Sequence, residues 1–212
     1  MTKELQNLLS LLESPNKENR DLGAIVAQNY KDEFKTHFGY EIAEYQELIL
    51  FLTKHNQWNS VQSLSEITAL WLFGVGIFKL PVAITLLKNL KELSLKNNKS
   101  KYLPNQICNL NNLTLLDLDG NQLQVLPPEI EQLPKIKYLF LQNNQFQSLP
   151  KEIGQLTNLK YLYLENNQLQ SLPKELVQIK SLEGILVEGN PKTIFIPDEL
   201  KHLINFGSGL KD

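Results

Sequence analysis

One stretch of the sequence decides the fold, and it reads Asn144-Gln145-Phe146-Gln147-Ser148-Leu149-Pro150-Lys151-Glu152-Ile153-Gly154-Gln155-Leu156. Its asparagine, its Leu-Pro pair and the isoleucine or leucine that follows return in the same order at intervals of 23 residues. Self-similarity at one fixed interval is the signature of a repeat protein. The sequence therefore predicts a solenoid built from stacked copies of one unit.

Each unit also contains a Leu-x-Leu pair at the same interval. The first position of the pair is occupied by Leu93, Leu116, Leu139, Leu162 and Ile185. The second position is occupied by Leu95, Leu118, Leu141, Leu164 and Val187. Apolar residues that alternate with polar ones are typical of a strand with one solvated face. One such strand is too short to be stable alone, so we predict that the units pair their strands into one parallel sheet.

An asparagine follows each of these strands, where the chain must turn. The five residues are Asn98, Asn121, Asn144, Asn167 and Asn190. A side-chain amide offers two donors and an acceptor to backbone groups that would otherwise be buried without partners. We predict a structural ladder of these asparagines through the solenoid.

The repeating unit resembles the leucine-rich-repeat family, in particular its 23-residue class with the signature LxxLxxLxLxxNxLxxLPxxI, as found in bacterial proteins and in Ras-pathway scaffolds. The resemblance covers about residues 61–192, which hold about six repeats. It implies an α/β solenoid, a right-handed horseshoe whose parallel sheet lies on the concave side. In the first repeat Val75 replaces the asparagine, and an atypical terminal repeat is expected at the end of a solenoid.

The two ends of the chain depart from the repeat. In residues 1–60, spaced apolar residues predict four short helices, which begin near Thr2, Leu22, Phe34 and Ile42. We interpret this region as an α-helical N-terminal cap, with a separate helical binding module as the alternative. In residues 193–212, Pro197 comes one residue late for the frame, which indicates a C-terminal cap and tail.

The resemblance places the candidate binding site on the concave face, which is built from the residues that flank the inward leucines. The candidates are Leu115, Asp117, Asp119, Tyr138, Phe140, Gln142, Tyr161, Tyr163, Glu165, Leu186 and Glu188. Four aromatic side chains on neighbouring strands favour an interface with a protein, because aromatic residues are enriched in interface cores. The alternative is that these rings only stabilise cross-strand pairs. For Trp71 and Phe73 we expect instead that the helical cap covers them.

Composition and charge limit the classes of partner that the sequence favours. The net charge is −2 and Arg20 is the only arginine, so a nucleic-acid partner is not expected. No stretch has the length of a membrane span or the pattern of a secretory signal, which predicts a cytoplasmic protein without membrane contact, although export without such a signal remains open. Asp117 and Asp119 have no third ligand at suitable spacing, so we predict no metal and no cofactor.

The sequence favours a protein-binding module over an enzyme. The three histidines lie outside the repeats, and Cys108, the one cysteine, occupies an ordinary convex position. We therefore predict a non-catalytic module that binds another protein through the concave aromatic face, as a bacterial scaffold or effector. The alternatives are a structural protein that self-associates through the same patch, as a weak homodimer, and a carbohydrate-binding protein.

Overall fold

A computed structural model describes residues 66–205 and a few positions before them. The earlier positions are Gln6, Asn7, Ser10, Leu12, Ser14, Asn16, Glu47, Leu48 and Phe51. The chain divides into two compact units. One comprises residues 1–67 with 81–87, and the other comprises residues 68–80 with 88–212.

Most of the described positions of the first unit are helical, whereas Ser14 and Asn16 are not. Helical residues within the first predicted helix include Leu12, and those within the fourth include Leu48, and both leucines are buried. A 3₁₀ helix, η1, spans Val82–Leu86. The second and third predicted helices lie outside the described residues, so the N-terminal cap stays a prediction.

The second unit contains one sheet of seven parallel strands in chain order. The strands are β1 Ala69–Trp71, β2 Glu92–Ser94, β3 Leu115–Asp117, β4 Tyr138–Phe140, β5 Tyr161–Tyr163, β6 Gly184–Leu186 and β7 Ile204–Asn205. From β1 to β6 each residue pairs with the one 23 positions later, as Leu116 does with Leu139. The predicted parallel sheet is confirmed, and the fold is the predicted solenoid.

The core of this unit forms because the middle residue of each strand points inward. Leu93, Leu116, Leu139 and Leu162 are fully buried in four successive strands. The leucines two residues later are buried with them, and Phe146 is the largest of the fully buried side chains. A buried leucine contributes roughly 2 kcal/mol of hydrophobic stabilisation, so one column of stacked leucines stabilises several repeats together.

The return side of the second unit carries short 3₁₀ helices, each begun by a proline. They are η2 Asn105–Asn109, η3 Pro128–Gln132, η4 Lys151–Gln155, η5 Lys174–Gln178 and η6 Asp198–Leu203. Proline suits the position before the helix because its φ is fixed and no strand hydrogen bond is required of it there. Its carbonyl accepts a bond from the third residue of the helix, as Pro104 does from the buried Ile107 at 3.0 Å.

The asparagines bridge each repeat to the one before it. Asn98 Nδ2 donates to the carbonyls of Leu72 and Leu95 at 2.6 and 2.8 Å, and its Oδ1 accepts from the backbone N–H of Ile77 at 2.9 Å. Asn121, Asn144, Asn167 and Asn190 repeat these contacts. Each asparagine thus pairs backbone groups of the preceding repeat as well as of its own. Val75 holds the equivalent position in the first repeat, and its side chain is exposed.

The C-terminal end continues the sheet where the sequence predicted a cap. β7 pairs with β6, but Ile204 lies opposite Ile185 at an interval of only 19 residues. Pro197 still begins a 3₁₀ helix, and Leu200 within that helix is buried. The last unit is therefore four residues shorter than the others, and its 3₁₀ helix leads directly into a strand that pairs with β6. Residues 206–212 lie outside the described residues.

Candidate functional site

The candidate residues share one face of the sheet because strand residues alternate in direction. Cross-strand pairing places Leu115, Tyr138, Tyr161 and Gly184 in one row. A second row contains Asp117, Phe140, Tyr163 and Leu186. A third set lies two residues beyond the second row and consists of Lys96, Asp119, Gln142, Glu165 and Glu188. We call these three sets, together with Trp71, Phe73, Glu92 and Ser94, the exposed sheet face.

The aromatic residues of this face form two stacked pairs. The rings of Phe140 and Tyr163 lie 4.4 Å apart between centroids, at an interplanar angle of 13°. The rings of Tyr138 and Tyr161 are also parallel, at 6.1 Å. We call these four residues the aromatic cluster. Each ring is only partly exposed, since its neighbour covers part of it, so the exposed apolar area is smaller than four isolated rings would give.

The ring of Tyr161 lies against the neighbouring strand β6. A Cβ at Gly184 would lie 3.2 Å from the Tyr161 ring, so the glycine leaves room for the ring to lean over β6. The Glu183 carboxylate accepts a hydrogen bond from Lys160, whose Nζ lies 2.6 Å from Oε1. This bond lowers the pKa of Glu183 and raises the pKa of Lys160. The stack on Tyr138 and the space above Gly184 therefore orient Tyr161 before any partner arrives.

The two predicted aspartates are occupied by contacts within the fold. Asp117 accepts from Ser94 Oγ at 2.8 Å and from the backbone N–H of Asp119 at 3.0 Å. Asp119 is buried, pairs with Lys96 Nζ at 2.8 Å, and accepts from Asn143 Nδ2 at 2.7 Å. The hydrogen bond to Asp119 is the main cause of the raised pKa of Lys96. The structure thus brings these carboxylates onto the face but gives both of them partners.

Glu165 differs from the aspartates, although its frame is the same as that of Asp119. A groove of about 440 Å³ is lined by Gln142, Asn143, Glu165, Asn166, Glu188 and Gly189. Within it, Oε1 of Gln142 and Oε2 of Glu165 are buried and have no hydrogen-bond partner among the described residues. Burial raises the pKa of Glu165, and the charges of Asp119 and Glu188 raise it further. This part of the face therefore contains two acceptors that no described residue pairs.

A rim beside the groove was missed by the sequence reasoning. The residue before each ladder asparagine has a positive φ, and so has Gly74, which precedes Val75 in the first repeat; the full set is Gly74, Asn97, Gly120, Asn143, Asn166 and Gly189. These residue types tolerate the left-handed region. Asn166 Nδ2 donates to Asn143 Oδ1 at 3.0 Å, which links the rim to Asp119 through Asn143. A column restricted to glycine and asparagine was the signal that could have revealed it.

Three other side chains bear on the predicted site. Trp71 and Phe73 are 51% and 58% exposed, and the expectation that a cap covers them stays a prediction. Cys108 is fully buried, and burial, together with the nearby Glu129, raises the pKa of its thiol to about 12. A thiol in that environment is not a nucleophile at neutral pH.

Two features are absent from the described part of the chain. No group of three or more His, Cys, Asp or Glu side chains is placed there to hold a metal ion. None of the helices described is long and apolar enough to cross a membrane. The predictions that the chain needs no metal or cofactor stay predictions.

Comparisons with known proteins agree with this fold. The family model described as a leucine-rich repeat region matches residues 127–206, and the single leucine-rich-repeat model matches residues 112–133. A solved leucine-rich-repeat protein of Leptospira interrogans is 35% identical over 73% of this chain, with a TM-score of 0.63. This chain is a leucine-rich-repeat protein, and it covers 39% of the length of that Leptospira chain.

A second solved structure is less similar to this chain. The leucine-rich-repeat ectodomain of a receptor kinase from Arabidopsis thaliana is 28% identical, with a TM-score of 0.48, over 55% of this chain and 65% of its own. Comparison with curated proteins gave no match. Leucine-rich-repeat domains are generally non-catalytic modules of protein–protein interaction, whereas the assignment to the 23-residue class stays a prediction.

Proposed function

We propose that this chain is a non-catalytic module that binds another protein through the exposed sheet face, with the aromatic cluster at the centre of the contact. The observation that carries the proposal is the stacked pair of Phe140 and Tyr163, followed two residues later by two buried acceptors that have no hydrogen-bond partner among the described residues. Stacked rings offer a rigid apolar surface at a low entropy cost, and aromatic residues dominate the energetics of interfaces. Unpaired buried acceptors gain stability when a partner supplies donors.

The biological setting that we propose is a bacterial scaffold or effector. The support is the similarity to the Leptospira interrogans protein, at 35% identity. The cytoplasmic location inferred from the sequence stays a prediction. The partner in this proposal is one other protein, held by the face as a whole, and the chain itself performs no chemistry on it.

A pull-down that compares two variants tests the role of the aromatic cluster. The first variant replaces Tyr138, Phe140, Tyr161 and Tyr163 by alanine. The second replaces Tyr102, whose ring is 74% exposed outside this face, as a matched control. We expect a partner that the native chain and Tyr102→Ala capture and the cluster variant loses, while circular dichroism shows that all three fold. Equal capture by all three would contradict the proposal.

Self-association is the competing use of the same face. If the aromatic cluster is an oligomer interface, the native chain gives a dimer whose fraction rises with concentration, and the cluster variant stays monomeric. Size measurement at two concentrations distinguishes the two cases. A glycan array tests the carbohydrate alternative. Binding of the native chain to a sugar, lost in the cluster variant, would identify the ligand of this face as a carbohydrate instead of a protein.

A further inference from the structure

We infer that the partner presents an arginine side chain to the groove lined by Gln142, Glu165 and Glu188. This inference rests on the proposed function, and it names the chemistry of the segment that the exposed sheet face accepts. The groove lies where β4, β5 and β6 end, two residues beyond the second row of the face.

Charge supports a cationic occupant. Glu165 and Glu188 line the groove, and the nearby Asp119 adds to the negative potential that raises the pKa of Glu165. Lys96 is the one cation among the residues that define the exposed sheet face, and Asp119 already binds it at 2.8 Å. An anionic partner would be repelled here, whereas a cation would relieve the repulsion among the carboxylates.

The unpaired acceptors support a donor with more than one N–H group. Gln142 Oε1 and Glu165 Oε2 are both buried in the same groove and have no hydrogen-bond partner among the described residues. An arginine guanidinium presents five donors in a planar fork and can reach two acceptors at once. A lysine ammonium is a compact, strongly hydrated charge that fits such a pair of oxygens less well.

The aromatic cluster supports the same side chain. Phe140 precedes Gln142 by two residues and Tyr163 precedes Glu165 by two, so the stacked rings lie on the same face as the acceptors, about 7 Å away along the strands. A guanidinium stacks on aromatic faces, and the apolar stem of an arginine packs against rings. The groove and the stack together match the length and the two chemical halves of one arginine side chain.

The occupant is a segment of a protein rather than free arginine. Leu115 and Leu186 flank the aromatic cluster on the exposed sheet face, and both are only partly buried. One arginine would leave this apolar surface in water, whereas a polypeptide can cover it while it places the arginine in the groove.

The test uses a phage-displayed library of random peptides selected against the full chain. Bound phage are then sorted by their loss of binding to the variant in which the four residues of the aromatic cluster are alanine. We expect the peptides that depend on the cluster to be enriched in arginine at one position. Replacement of that arginine by lysine in a synthetic peptide should weaken binding by about tenfold, because the bidentate contact is lost.

Two isosteric variants of the chain complete the design. The combined substitution Glu165→Gln and Glu188→Gln should weaken the same peptide by about tenfold or more, since the charge-assisted bonds disappear. The control Glu131→Gln removes an exposed charge from the return side and should leave binding unchanged. Circular dichroism checks that both variants fold.

The outcomes separate this inference from the proposed function. Peptides that need the aromatic cluster but show no preference for arginine, or that bind the double glutamine variant as tightly as the native chain, overturn the arginine site and leave the protein-binding face in place. If every selected peptide binds the cluster variant as well as the native chain, both the face and the arginine site are wrong.

Discussion

The exposed sheet face has two halves that share one backbone and differ in how their polar groups are partnered. On β2 and β3, the side chains of Ser94, Lys96, Asp117 and Asp119 bind one another, directly or through the backbone. On β4 to β6, aromatic rings stack, and the carboxylate of Glu165 keeps an oxygen without a partner among the described residues. The polar groups of the first half are paired within the fold, whereas the second half keeps an acceptor that no described residue pairs. The repeating positions build the scaffold in both halves, so any function lies in the variable positions.

The largest expected effect on stability comes from disrupting the hydrogen bonds around Asp119 in the first half. Asp119→Ala removes a buried carboxylate and leaves Lys96 and Asn143 without their acceptor. We expect the free energy of unfolding to fall by about 2 kcal/mol, because a buried hydrogen-bonded charge is lost. Urea denaturation measures it. The matched control is Glu188→Ala, whose side chain is exposed, and an equal loss for the control would remove the distinction between the two halves.

A double-mutant cycle measures how much the stacked rings of the second half contribute to the free energy of unfolding. Phe140→Ala and Tyr163→Ala should show a coupling of about 1 kcal/mol in the free energy of unfolding, since their rings stack at 4.4 Å. The cycle on Tyr138 and Tyr161 should give a smaller value, because those centroids are 6.1 Å apart. Equal couplings would indicate that ring distance does not control the stability of this half.

Glu165→Gln should stabilise the isolated chain while it weakens ligand binding. Burial raises the pKa of Glu165, so the folded chain holds this proton more tightly than the unfolded chain does. The stabilisation from the proton is present below the unfolded pKa of about 4.3 and is lost as pH rises through the folded pKa. At neutral pH the ionised group therefore destabilises the fold, and its replacement should raise the free energy of unfolding by about 0.5 kcal/mol.

Urea denaturation at two pH values checks this sign. The gain of Glu165→Gln should be present near neutral pH and absent below about pH 4, where the native carboxyl is protonated in both states. Glu131→Gln on the return side is the control and should change stability at neither pH. A variant that is less stable than the native chain near neutral pH would mean that Glu165 already has a partner and that the second half is paired within the fold as well.

The smallest expected effect concerns Lys96 in the first half of the exposed sheet face. Lys96 is 40% exposed, so its ion pair with Asp119 is partly screened by solvent. Lys96→Gln keeps a donor for Asp119 and should lower the free energy of unfolding by only a few tenths of a kcal/mol. The difference from the native chain should shrink as salt is added, and a difference that does not depend on salt would argue against an electrostatic origin.

Most of the scaffold was predictable because its signals repeat. The 23-residue interval predicted the strands, the inward leucines such as Leu139, and the register of the sheet from β1 to β6. The last strand was not predictable in this way, because β7 pairs at an interval of 19 residues and Pro197 before it comes one residue late for the frame. The sheet accepts Ile204 because an open edge supplies hydrogen bonds to any extended segment that reaches it.

The sequence by itself determined the repeat, the parallel sheet and which residues share its exposed face, since alternation and turn chemistry act over a few residues. Only the tertiary structure decided which of those residues have partners. Asp117 meets Ser94 across 23 residues and loses its availability, whereas Glu165, in the same frame as Asp119, keeps an oxygen free of partners in the described region. The reason is that the hydrogen bonds of each side chain depend on the variable residues of the neighbouring repeats. The periodic pattern does not specify these variable residues.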